Sequence, residues 1–184
     1  GDNGIYVQAT AMKDSDSDGF SDDVTTVNYA NEGVGVDTGA TVDSASLEIL
    51  SMKFYSSIVV SEQGNSQDAV EVLEDYDNGT PGDTSDDYKS TLLTLSSATF
   101  IVDHLGSAED LYFSLYLGDS LVAYSTTPLE GTDSGGGASA DQKDDVLVVD
   151  DSTIGTYGIV DDGGSAITEI PTFDEIRFES GEGE

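Results

Sequence analysis

Apolar positions recur with period two along nearly the whole chain, the spacing of half-buried strands. Ile5, Val7, Ala9 and Ala11 alternate with Tyr6, Gln8, Thr10 and Met12. Residues 24–30 read as a short strand. Residues 46–60 hold two strand-like pieces, around Leu47-Glu48-Ile49-Leu50 and over 54–60. Val70 and Val72 alternate with Glu71 in 69–74, and 92–102 forms a long strand candidate, followed by 111–117 and 121–125. The continuous apolar run Val146-Leu147-Val148-Val149 predicts a strand covered on both faces. Strands over 157–160, 167–170 and 176–178 close the series.

The separators are turn formers: Gly33-Val34-Gly35, Asn78-Gly79-Thr80-Pro81-Gly82, Gly135-Gly136-Gly137 and Asp162-Gly163-Gly164. One turn of helix is expected at most, at Ser107-Ala108-Glu109-Asp110. About ten short strands with Gly- and Asp-rich connections predict an all-β protein, a jelly-roll-like antiparallel β-sandwich. No repeat of fixed period and no break between two cores is visible. The expected organisation is an N-terminal strand over 1–12, available for donation to another copy, and one β-sandwich domain over 13–184.

Composition sharpens this picture. The 184 residues include 38 Asp and Glu against 5 Lys and Arg, a net charge of −33. The acids are 26 Asp and 12 Glu, and there is no Cys and no Trp. Without Cys there is no disulfide framework, zinc–thiolate site, iron–sulfur cluster or thiol nucleophile. Five cations cannot build a phosphate-binding surface, which argues against nucleic acid as a partner. No apolar run approaches the roughly 20 residues of a membrane-spanning helix. High charge with low hydropathy can signal disorder, but here the acids are clustered between segments rich in Val, Ile, Leu, Tyr, Phe and Thr. The start, Gly1-Asp2-Asn3, is that expected of a processed, exported protein or of an artificially trimmed chain.

The sharpest chemistry lies in Asp14-Ser15-Asp16-Ser17-Asp18-Gly19-Phe20-Ser21-Asp22-Asp23, a D-x-D-x-D-G-x-x-D pattern. Calcium takes six to eight oxygens at roughly 2.3–2.6 Å. Alternate carboxylates on a curled loop converge on one point, and Gly at the sixth position permits the sharp turn. The segment resembles the calcium loops of EF-hands, dockerins and thrombospondin type-3 repeats. The resemblance implies ligands at Asp14, Asp16, Asp18, Phe20 (through its carbonyl) and Asp22. It departs from the EF-hand at the twelfth position, where Thr25 replaces the bidentate Glu, and the following Val24-Thr25-Thr26-Val27 is β-like. The missing carboxylate then comes from Asp23, from elsewhere in the chain or from another subunit. The alternative is a solvated acidic turn.

A second cluster repeats the logic with imperfect spacing, and its candidate ligands are Asp75, Asp77, Asp83, Asp86 and Asp87. A plain acidic hairpin loop is the alternative. The pairs Asp144-Asp145, Asp150-Asp151 and Asp161-Asp162 read as surface acid, because adjacent residues on a strand point to opposite faces. A net charge of −33 repels itself. Molar salt relieves that repulsion by screening, and bound divalent cations relieve it by neutralising the clusters. The excess of Asp over Glu suits short, loop-borne ligands.

Enzyme signatures are thin. His104, the one His, follows Asp103, but no G-x-S-x-G elbow, P-loop or dinucleotide fingerprint accompanies it. Without Trp the usual sugar-stacking platform is missing. Asn78-Gly79-Thr80 is a formal glycosylation sequon followed by Pro81. A non-enzymatic role is expected.

In overall character the chain resembles the calcium-dependent subunits of archaeal cannulae and the related camelysin-like donor-strand filaments. The shared features are a mature secreted start, all-β texture, Asp-rich loops and no catalytic apparatus. The resemblance implies an extracellular or cell-surface structural subunit that polymerises with copies of itself through β-strand donation, with Ca2+ bound by the acidic loops. The second expectation is a monomeric, calcium-stabilised binding module for carbohydrate or adhesion.

Overall fold

The structure, a computed structural model, describes residues 5–13, 23–25, 27–30, 33–36, 48–57, 75–76, 88–102, 109–131 and 145–182. In chain order the strands are β1 (Tyr6–Lys13), β2 (Asp23–Thr25), β3 (Val27–Ala30), β4 (Gly33–Val36), β5 (Ile49–Ser57), β6 (Asp75–Tyr76), β7 (Tyr88–Lys89) and β8 (Thr91–Leu92). They continue with β9 (Ala98–Val102), β10 (Glu109–Leu117), β11 (Ser120–Tyr124), β12 (Leu129–Glu130), β13 (Asp145–Val149), β14 (Val160–Asp161) and β15 (Glu175–Glu182). One helical turn, α1 (Ile154–Tyr157), follows a 3-10 turn at Asp151–Thr153. The all-β class expected from the period-two pattern is the class observed.

A nine-stranded sheet dominates. Its order is β14-β11-β10-β15-β5-β1-β2, with β12 attached to β10 and β8 to β5. Each pairing is antiparallel, so directly opposed residues share a face. Cross-strand rows can therefore be read from the register. One row runs Ala123, Leu115, Ile176, Met52 and Ala9, and the next runs Phe113, Phe178, Leu50 and Ala11. These rows form the apolar face. Leu115, Ala123 and Ile176 are fully buried there, each removing side-chain surface from water at roughly 25 cal/mol per Å².

That face is covered by the two-stranded ribbon of β9 and β13, joined in register from Ala98↔Val149 to Val102↔Asp145. Leu147 and Val149 point inward and are fully buried. Phe100 of the ribbon meets Phe178 of the sheet edge-on, with ring centroids 5.1 Å apart. Tyr157 of α1 packs edge-on against Phe113 at 5.6 Å. Phe173 closes another corner against Phe54 at 6.3 Å. Such edge-to-face pairs add about 0.5–1.5 kcal/mol each beyond area burial.

Several sequence expectations are corrected. The run 146–149 is covered on one face only: Val146 is 51 % exposed beside Ile101 at 71 %, because the ribbon lies over the sheet with no described layer outside it. The two pieces expected in 46–60 merge into β5, whose register with β1 and β15 is continuous through Ser51 and Lys53. The long strand of 92–102 breaks, because Leu95 pairs with Phe173 in an isolated bridge before β9 begins. The expected strand 24–30 divides into β2 and β3.

Residues 157–160 are not a strand throughout. Asp150 caps the preceding turn, accepting the Ser152 N–H at 2.8 Å, and Thr153 returns its side chain to the Asp150 N–H at 3.2 Å. Gly158 then ends α1 in the left-handed region at φ 55°. Residues 167–170 are irregular, and the Ile170 N–H is taken by the Asp151 carboxylate at 2.7 Å instead of a strand partner. Glu109 and Asp110, expected within a helical turn, open β10. The candidate strand 69–74 lies outside the described residues.

Candidate functional site

The chain has only five cations, and their placement organises the site. Lys13 ends β1 directly opposite Asp23, the first residue of β2. Lys89 in β7 stands opposite Asp75 in β6. Lys53 in β5 stands opposite Glu175 in β15, and Arg177 lies two residues beyond Glu175 on the same face. The three lysines thus each face a carboxylate residue across the strands, and Arg177 has Glu175 two positions away on its own strand. Lys143 lies outside the described residues.

Two of those pairs close the acidic segments. Lys13↔Asp23 brings together the ends of the segment 14–22, which carries the candidate ligands Asp14, Asp16, Asp18, Phe20 and Asp22. Asp23 is placed by its backbone at the head of β2. In the same way Tyr76↔Tyr88 and Asp75↔Lys89 bring together the ends of 77–87, which carries Asp77, Asp83, Asp86 and Asp87. Both Asp-rich segments connect neighbouring antiparallel strands. The ligand candidates within them lie outside the described residues, as does His104. Among the described residues, no three His, Asp or Glu side chains gather closely enough to hold a metal ion.

Asp150, Asp151, Asp161 and Asp174 each hold local backbone or side-chain groups. The Asp150 carboxylate also accepts the Ser152 hydroxyl at 2.6 Å. Asp151 fixes Ile170. Asp161 accepts the N–H groups of Gly163 at 3.0 Å and Ser165 at 2.7 Å, holding a turn that ends in the Val160↔Ala166 bridge. Asp174, buried, receives the Gly118 N–H on both carboxylate oxygens at 3.0 and 3.1 Å, which secures the β10–β11 turn. Short Asp side chains suit such local backbone capture.

The most organised polar cluster lies on the face of the nine-stranded sheet opposite the core. Glu175 is almost completely buried. Its Oε1 accepts the Ser51 hydroxyl at 2.8 Å and Arg177 Nε at 2.5 Å, and its Oε2 lies 3.4 Å from Lys53 Nζ. Burial alone pushes the Glu175 carboxyl upward. The hydrogen bonds from Arg177 and Ser51 and the charges of Arg177 and Lys53 outweigh it, so the group sits below the usual Glu range. Arg177 is held above its ordinary value by Glu175, against its own desolvation. Its guanidinium lies 3.9 Å over the Tyr116 ring.

Sequence reasoning passed over this cluster. Period two places Glu175 and Arg177 on one face, but the residue that completes it, Ser51, is 124 positions away. The sequence signal is compositional: two of five cations meet on one carboxylate.

Comparison with protein-family models, curated proteins and solved structures finds no match to this chain.

Proposed function

We propose that this chain is an exported structural subunit that assembles with copies of itself by exchange of strand β1, with calcium held by the acidic connections 14–22 and 77–87. The observation that carries this reading is the unequal anchoring of β1. Its backbone pairs with β5 over seven positions, from Tyr6↔Tyr55 to Met12↔Ile49. Its side chains contribute little to the core: Ala11 is buried, but Ile5 and Val7 at the outer end are 62 % and 50 % exposed. An identical strand from a second copy reproduces every main-chain bond and needs only shallow pockets for Ala9 and Ala11. Head-to-tail exchange of this kind grows into a filament or tube unless it closes into a ring.

The calcium part of the reading rests on the ligand spacing together with the paired strand ends, Lys13↔Asp23, that bring both ends of the segment close. An extracellular or cell-surface location follows from the same chemistry, since calcium is plentiful there. Among the described residues no helix is long and apolar enough to cross a membrane. A second reading, a monomeric calcium-stabilised module that binds carbohydrate or an adhesion partner, is favoured by Tyr112, Tyr116 and Tyr124 on the polar face of the main sheet. It predicts calcium-dependent melting without polymers.

Deletion of residues 1–12 separates the two. The exchange reading expects a folded chain that no longer polymerises in calcium, and a synthetic peptide of residues 1–13 that binds it and restores its melting temperature. Polymers formed by the truncated chain would contradict strand exchange.

A further inference from the structure

We infer that the polar face of the nine-stranded sheet, centred on Lys53 and Arg177, is where an acidic segment of a neighbouring copy docks; this rests on the assembly reading above and assigns it a surface. Three cross-strand rows define the face. They run Tyr116–Glu175–Lys53–Gln8, then Tyr124–Ser114–Arg177–Ser51–Thr10, then Tyr112–Glu179–Ile49–Met12. Their charged positions are Lys53, Arg177, Glu175 and Glu179, so these three rows carry no net charge in a chain of net charge −33. Asp110 and Glu130, opposed one row farther along, mark its acidic margin.

Depth separates Glu175 from the two cations that pair with it. The Glu175 side chain is 2 % exposed, whereas those of Lys53 and Arg177 are 32 % and 27 % exposed. Glu175 is sealed beneath, while the side chains of Lys53 and Arg177 are partly exposed and Glu179 is exposed beside them. Three half-buried tyrosines stand around them. Tyr and Arg are the residue types that concentrate binding energy in interfaces. A second copy brings its own −33 charges, so contact is least opposed where the receiving surface is neutral or positive. Acidic segments are what such a copy has in abundance, and Lys53 with Arg177 complements them.

The test measures the calcium concentration at half-maximal light scattering for the full chain and three variants, with melting temperatures alongside. Lys53→Gln is expected to raise that concentration several-fold, Lys53→Arg to leave it near the parent value, and Glu179→Lys to lower it several-fold. Glu179 is exposed and outside the buried cluster, so its replacement tests the surface even where Lys53→Gln weakens the fold. Equal half-points for all four proteins would overturn the docking surface while leaving assembly intact. Binding of soluble oligosaccharide to this face, with no change in scattering among the variants, would overturn it in favour of a carbohydrate partner. A parent chain that forms no polymers at any calcium level would remove the assembly reading and this surface together.

Discussion

Lys53 and Glu175 are direct cross-strand partners, with the ammonium 3.4 Å from a carboxylate that the sheet has taken almost wholly out of water. A charge buried to that degree is costly unless paired and hydrogen-bonded. Ser51, Arg177 and Lys53 supply the pairing from two strands. The cluster therefore holds β5 to β15 at the centre of the sheet.

Because the folded Glu175 carboxyl lies below its ordinary range, its stabilisation is complete above the unfolded value of about 4.3 and fades as pH falls through the folded one. Comparison with Glu175→Gln isolates the effect. The variant is expected to be less stable than the parent by about 1–3 kcal/mol at pH 7, with the gap closing below about pH 4. A gap that stays constant from pH 7 to pH 3 in urea titrations would contradict the assignment.

Gly158 and Gly118 both have positive φ, 55° and 59°, but differ in surroundings. A Cβ at Gly158 would stand 2.5 Å from Thr126 Oγ1, whose hydroxyl donates to the Gly158 carbonyl at 2.8 Å; at Gly118 it meets nothing. Gly118→Ala should cost about 1–2 kcal/mol from backbone strain alone. Gly158→Ala should cost more and release the loop that joins α1 to Thr126 and Thr127. Equal losses in melting temperature would refute the difference.

Leu147 and Val146 are neighbours in β13 on opposite faces, one fully buried and one half exposed. Leu147→Ala should lose about 2–5 kcal/mol through the cavity it leaves. Val146→Thr should stay within about 0.5 kcal/mol. Comparable losses at the two positions would mean that the ribbon is covered on both sides.

The pair also shows what the sequence could and could not reveal. Period two located β1 and β11 closely, since their alternation is regular, but began β10 at Leu111 and left Glu109 and Asp110 to a helical turn. It could not separate one-sided from two-sided cover in 146–149, because Val146 and Val148 are apolar on the outer face too. The turn at α1 escaped because its cause is a local cap, Asp150 with Thr153, and a single glycine, not a periodic stripe. The Lys53–Glu175 pairing depends on sheet order, which alternation along one strand does not encode. The candidate calcium ligands of 14–22 lie outside the described residues.

Calcium at 100 times its dissociation constant for one site should stabilise the fold by about 2.7 kcal/mol. A chelator at low salt is expected to lower the melting temperature, and Asp16→Ala or Asp18→Ala to weaken that response. Identical melting with calcium and with chelator would rule out binding at these carboxylates.

The central claim, that divalent metal turns this acidic β-protein into a polymer, is tested most directly by electron microscopy of the 184-residue chain in millimolar calcium and again after chelation. The account predicts filaments or tubes with calcium and dispersed single copies without it. Single copies under both conditions would contradict it.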